Sequence, residues 1–237
     1  IWFDTPYDMP REYCEQLVEY VKSIQPNCII NGRVGYYLGD YKQMSDNSIP
    51  VLSYPGDWET PFTINNTWGY DKNDTDWKDP KTIMEMLVKI NSRGGNLLLN
   101  VGPDELGRIP ERSAEIIQVI GRWLKINGES IYGTTCAPDF PYMMAWGGFT
   151  RKSNKLYMHN LKWPVYPYIR HFGGLKTKIN RAYFLADGSE VEFIQNYEPA
   201  RDEYNVRVKL PEKPLCELNT VVVLELDGEP EIHQLKI

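Results

Sequence analysis

The chain has 237 residues, 42% of them hydrophobic and 24% charged, with a formal net charge of −6. Those values fit a globular protein with one large or two modest cores. An acidic balance without a basic stripe argues against a nucleic-acid partner and favours a neutral ligand over an anionic one. No apolar run approaches the roughly 18 residues that span a bilayer, so no membrane partner is expected.

Ile1-Trp2-Phe3 is apolar and stops at Asp4. It reads as the end of a buried strand, not as a frayed terminus, and no initiator Met or signal peptide precedes it. The expectation is that the chain starts inside a larger protein. After Pro6 and Pro10, the spacing of Tyr13, Leu17, Val18, Val21 and Ile24 predicts a helix over 11–24, closed by Pro26-Asn27. The apolar run over 28–31 predicts a short buried strand.

Residues 33–80 form a long polar and aromatic stretch that holds Asp40, Asp46, Asp57, Trp58, Glu59, Trp68 and Trp77. A loop of that length inside a domain points to function. A second helix is predicted over 81–92, capped by Asp79-Pro80, carrying Ile83, Leu87 and Ile90 and ended by Gly94-Gly95. The run over 96–101 predicts a parallel strand buried on both faces. A third helix follows over 111–126, with Ile116, Ile117, Ile120, Trp123 and Leu124 on one stripe.

Strand–loop–helix repeats of this kind predict an α/β fold with a parallel sheet. A full (β/α)8 barrel needs about 250 residues, so residues 1–135 amount to a partial barrel of TIM type. After Cys136 the pattern alternates with period two at Val206, Val208 and Leu210 and again at Val222, Leu224 and Leu226, with a hairpin turn at Asp187-Gly188. Residues 136–237 are therefore expected to form a separate antiparallel β-sandwich.

Cys14, Cys28, Cys136 and Cys216 contain no C-x-x-C pair, and His159, His171 and His233 have no ligand spacing. No metal site, cofactor or catalytic histidine is expected from them. Carboxylates carry the chemical signal. Hydrolysis of a glycosidic bond with retention needs one carboxylate to attack the anomeric carbon and one carboxylic acid to protonate the leaving oxygen, about 5–5.5 Å apart. Asp4 stands where a strand ends, as a barrel nucleophile would. Glu59 follows an indole that can lower the local polarity, although Asp40, Asp46 and Asp57 compete for the acid's role. Arg33 suits either a clamp on hydroxyls or a structural ion pair.

Several segments resemble glycoside hydrolase family 29, the α-L-fucosidases. These are Ile1-Trp2-Phe3-Asp4, Asn31-Gly32-Arg33, Trp58-Glu59, Thr67-Trp68-Gly69-Tyr70, the run from Gly94-Gly95 to Gly102-Pro103, Gly121-Arg122-Trp123-Leu124 and Asn127-Gly128-Glu129-Ser130-Ile131-Tyr132. The likeness runs over residues 1 to about 135. It implies a retaining exo-α-L-fucosidase with Asp4 as nucleophile and Glu59 as acid/base, and with Trp2, Arg33, Trp58 and Trp68 lining the sugar pocket. It implies a fucosylated oligosaccharide or glycoconjugate as partner, no cofactor, and a secreted, periplasmic or lysosomal location. Thr5 stands where many members carry glycine, and the family's pocket histidines lie upstream of Asp4. Two rivals remain: another retaining glycosidase on the same scaffold, and a carbohydrate-binding fragment without turnover.

Overall fold

The computed structural model describes residues 1–4, 8–51, 53–137 and 144–233. Its first part is a parallel sheet with helices on one side. Strands β1 (Lys42–Gln43), β2 (Trp58–Thr63) and β3 (Gly95–Asn100) lie side by side in that order. The Asn31–Tyr41 parallel bridge and an Asn31 N–H bond to the Ile1 carbonyl continue the pairing toward the first residues. Helix α1 (Arg11–Ile24) keeps the bounds its periodicity predicts, but the stripe is rotated: Cys14 and Val21 are buried with Val18 beside them, while Tyr13 and Ile24 are exposed.

Helix α2 (Pro80–Asn91) starts where expected, with the Asp79 carboxylate accepting the Thr82 N–H at 2.7 Å. Helix α3 (Glu111–Asn127) buries Ile116, Ile120 and Trp123, leaving Ile117 exposed. The stretch over 33–80, expected to be loop, contains β1 and β2. Pro61 lies inside β2 and lacks the N–H of an ordinary ladder residue, which hides the strand from its sequence.

Side chains alternate across this sheet. Trp58, Thr60 and Phe62 share one side with Gly95, Leu97 and Leu99, and that side packs on α2 and α3. Glu59 pairs with Asn96 and Pro61 with Leu98 on the other side, where Asn96 and Leu98 are exposed. So β3 is covered on one face, not on both as its apolar run predicts.

Two antiparallel sheets follow. One has the order β4 (Thr135–Cys136), β5 (Gly147–Lys152), β6 (Lys155–Asn160), β11 (Thr220–Leu226), β8 (Ile179–Phe184). The other has the order β7 (Ile169–Gly173), β10 (Glu203–Lys209), β9 (Phe193–Glu198). Phe149, Leu156, Met158, Val222 and Leu224 of the first sheet share a core with Phe172, Val206 and Val208 of the second. The turn at Asp187-Gly188 is present, with the Asp187 carboxylate accepting the Ser189 N–H. The sandwich packs on the first part, where Tyr157, Tyr183, Val221 and Val223 join the core made by α2, α3 and β2.

A buried polar cluster sits at that junction. The Thr150 hydroxyl donates to the Ser130 carbonyl at 2.7 Å and meets His159 Nε2 at 3.0 Å, while Asn219 Nδ2 meets His159 Nδ1 at 3.0 Å. The Trp123 indole donates to the Asn219 carbonyl at 2.7 Å. With the Thr150 proton committed to Ser130, the imidazole carries its proton on Nε2 and accepts at Nδ1. Burial pushes the His159 pKa down to about 3.

A folded pKa below the unfolded value of about 6.5 gives stability that is complete above pH 6.5 and lost as pH falls toward 3. One such proton gives a slope of up to about 1.4 kcal/mol per pH unit inside that window. His159→Gln is expected to be less stable at pH 7 and to have a flatter dependence of unfolding free energy on pH between 6.5 and 3. Denaturant titrations across that range check it, and equal slopes in the two proteins would refute it.

Candidate active site

Asn31 places Asp4. Its fully buried side chain accepts the Phe3 N–H at 2.7 Å and donates to the Phe3 carbonyl at 2.9 Å, so both backbone groups before Asp4 are pinned. Arg33 follows two residues after Asn31. Its guanidinium contacts the Asp4 carboxylate at 2.5 Å and bonds a second carboxylate, Asp46. Burial pulls this guanidinium's pKa down, but hydrogen bonds and charge from Asp4 and Asp46 outweigh it and hold the pKa above its usual value. The same guanidinium lies over the Trp2 ring, 4.8 Å from its centroid.

Trp2 carries the cluster to Glu59. Its indole N–H is shared between Glu59 Oε1 at 2.7 Å and Gln43 Oε1 at 3.0 Å. The Tyr41 hydroxyl donates to the same Glu59 oxygen at 3.3 Å. Burial, with the charge and hydrogen bond of Glu59 added, pushes the Tyr41 phenol up to about 12, so it stays a donor at ordinary pH. The ladder accounts for part of the meeting. Gln43 pairs with Glu59 and Glu59 with Asn96, so these strands bring Gln43, Glu59 and Asn96 to one level, while the Asn31–Tyr41 bridge brings the turn that carries Arg33 alongside.

Asp4, Arg33, Trp2 and Glu59 therefore form one contact chain. Trp58 does not join it. It is 0% exposed, and its ring packs so close under Gly95 that a Cβ there would collide with it. Neighbours on a strand face opposite sides, so an indole at 58 and a carboxylate at 59 cannot both line one pocket. The expectation that Trp58 lines the sugar pocket is corrected on this ground.

Trp68 is 42% exposed and sits over the end of β3, with its carbonyl accepting from Asn100 Nδ2 at 2.8 Å. Gly69 and Gly102 lie in contact there, since a Cβ on Gly102 would come within 2.5 Å of the Gly69 carbonyl carbon. Thr5 lies outside the described residues. Asp40 is occupied elsewhere: hydrogen bonds from Lys22 and then from the Ile30 N–H hold its carboxyl below the usual range. Of the competing carboxylates, Asp46 is the one that shares Arg33 with Asp4. Tyr41 and Gln43 were not legible as site residues, because only the strand register reveals them.

Two carboxylates linked through an arginine and an indole suit the chemistry of glycoside hydrolases. The family model for alpha-L-fucosidase matches residues 1–129. The chain belongs to the α-L-fucosidase family, glycoside hydrolase family 29. It is 38% identical to the plasma alpha-L-fucosidase of Rattus norvegicus over 141 residues, which are 54% of this chain and 29% of that one. Among solved structures it is similar to alpha-L-fucosidase isoenzyme 1 from Paenibacillus thiaminolyticus, with a TM-score of 0.85 and 34% identity, covering 96% of this chain and 57% of that one. It is also similar to an alpha-L-fucosidase from Bacteroides thetaiotaomicron solved as a trapped covalent intermediate with 2-fluoro-fucosyl fluoride. That match has a TM-score of 0.82 and 25% identity, over 96% of this chain and 56% of that one. The chain thus spans well under two thirds of the length of these relatives.

The two tryptophans predict opposite outcomes in unfolding experiments. Trp58→Ala is expected to lower the unfolding free energy by about 3–5 kcal/mol, as for other fully buried aromatics. Trp68→Ala, at an exposed site, is expected to change it by less than about 1 kcal/mol. Denaturant unfolding of the two variants checks this.

Proposed function

We propose that this chain is the C-terminal part of a retaining exo-α-L-fucosidase that removes terminal fucose from oligosaccharides or glycoconjugates. Residues 1–135 would supply the later strands of a (β/α)8 barrel, and residues 136–237 the β-sandwich that packs on its helices. The parallel order of β1, β2 and β3 and the full-chain likeness to solved fucosidases support that division. The observation that carries the reading is the contact chain Asp4–Arg33–Trp2–Glu59 within the segment matched by the family. A secreted, periplasmic or lysosomal location is carried over from relatives such as the plasma enzyme.

In the proposed reaction Arg33 holds Asp4 Oδ1, which leaves Oδ2 to attack the anomeric carbon and form a covalent fucosyl ester. Glu59 accepts both of its hydrogen bonds at Oε1, so Oε2 carries the proton that goes to the leaving oxygen. The same carboxylate then takes a proton from water as the ester is hydrolysed. Trp2 and Trp68 would offer aromatic surface to the apolar side of fucose, and Arg33 charged hydrogen bonds to its hydroxyls. The trapped intermediate of the Bacteroides enzyme supports double displacement.

The test uses the enzyme that carries the residues preceding Ile1. Glu59→Ala is expected to lose about 10²–10⁴ in rate on poor leaving groups, to lose far less on activated aryl fucosides, and to be rescued by azide. Absence of both effects would move the acid's role to Asp46. Tyr41→Phe removes a hydroxyl that holds Glu59 Oε1 in place. Its kcat on poor leaving groups is expected to fall several-fold with KM little changed, while a Tyr41 that only packs would leave both constants in place.

A further inference from the structure

Between β2 and α2 the chain runs through a loop over residues 64–79 that carries Trp68. Over residues 66–76 every side chain is exposed or half-buried except Asp74, which is 9% exposed. A carboxylate goes inside only when its charge is met there. Asp74 meets that need with N–H donors. Its Oδ2 accepts from Asn65 Nδ2 at 2.9 Å and from the Asn66 N–H at 2.9 Å, and its Oδ1 accepts from the Asp76 N–H at 3.1 Å. Burial pushes this carboxyl's pKa up, but hydrogen bonds from Asp76, Asn66, Asn65 and Thr67 outweigh it and hold the pKa below the usual carboxylate range.

These bonds join the two limbs of the loop. The later limb is fixed to the fold: the Trp77 indole donates to the Ser113 hydroxyl of α3 at 3.1 Å, and the Lys78 N–H donates to the Ile64 carbonyl at 2.9 Å. The earlier limb, residues 65–67, leads into Trp68. Thr67 passes the constraint on, since its hydroxyl accepts from Asn65 Nδ2 at 3.2 Å and donates to the Gly69 carbonyl at 2.8 Å, spanning Trp68. From the other side, Asn100 of β3 holds the Trp68 carbonyl at 2.8 Å. The Trp68 backbone is thus gripped on one side by a strand and on the other by a chain of bonds that ends at Asp74.

We propose that Asp74 is a positioning residue that fixes where Trp68 stands and, through Trp68, how firmly the fucose ring is held. The action on fucose rests on the fucosidase reading, whereas the tether between the limbs does not. An amide at position 74 turns its NH2 toward donors on one side or the other, whichever way it is flipped. Asp74→Asn therefore keeps the shape of the side chain and breaks part of the tether.

The experiment uses the enzyme that carries the residues preceding Ile1. In Asp74→Asn, backbone amide exchange at Asn66 or Asp76 is expected to speed up by about tenfold. L-fucose, as a competitive inhibitor of aryl fucoside hydrolysis, is expected to bind roughly fivefold more weakly, with kcat changed by less than about twofold. In a Trp68→Ala background the same substitution is expected to add no further loss of L-fucose binding, because residues that act through one another are not additive. Asn65→Ala removes one donor and leaves the carboxylate, so it is expected to shift exchange and binding the same way by less, and it carries the test if Asp74→Asn does not fold. Unchanged exchange in these variants would refute the tether. A loss of L-fucose binding that persists in full without Trp68 would refute the positioning role. A wild-type enzyme that leaves aryl fucosides intact would sink the fucosidase reading and the action on fucose, while exchange would still decide the tether.

Discussion

Val221 to Leu224 on β11 point alternately into two cores, and the rest of the molecule is arranged around that double burial. Val221 and Val223 meet α2, α3 and β2, while Val222 and Leu224 meet the three-stranded sheet. Each such side chain gains about 1.5–3 kcal/mol on leaving water, so peeling the sandwich from the helices exposes one whole face of a sheet. The polar groups at the junction follow from the same constraint. A histidine buried there has to be neutral and satisfied at both nitrogens, and Thr150 and Asn219 do this.

The helices thus held form the platform for the parallel sheet, whose open side carries Glu59. The alternation that buries Trp58 also turns Glu59 outward. A small set of contacts then sets the level of the carboxylates: Asn31 on the backbone of Phe3, Arg33 on Asp4, and the Trp2 indole on Glu59. The strand register places Gln43, Glu59 and Asn96, while Trp2, Asp4 and Arg33 reach the site from segments outside the named strands.

Much of this was legible in the sequence, and the failures have physical causes. α1 was readable to the residue, because prolines bracket it and its apolar residues repeat at helical spacing. Its buried face was not, since only neighbours decide whether Tyr13 or Cys14 turns inward. β2 was hidden by Pro61 and by the polar look of Trp-Glu-Thr-Pro-Phe-Thr, and with the strand went the parity rule that would have removed Trp58 from the pocket. On β11 the period-two alternation at Val222, Leu224 and Leu226 marked a strand, whereas the burial of Val221 and Val223 on the other face depends on the helices packed there. Asp4 and Arg33 were found through their motifs, whereas Tyr41 and Gln43 enter through pairing partners 10 and 16 residues away in the chain.

Arg33 serves two anions at once, and this has an electrical consequence. Were Asp4 esterified in the proposed reaction, its negative charge would disappear, and a guanidinium with a single counter-ion would be free to swing toward water. The contact with the second carboxylate, Asp46, would keep the cation moored, so the arginine would stay where it is while the charge beside it changes and returns.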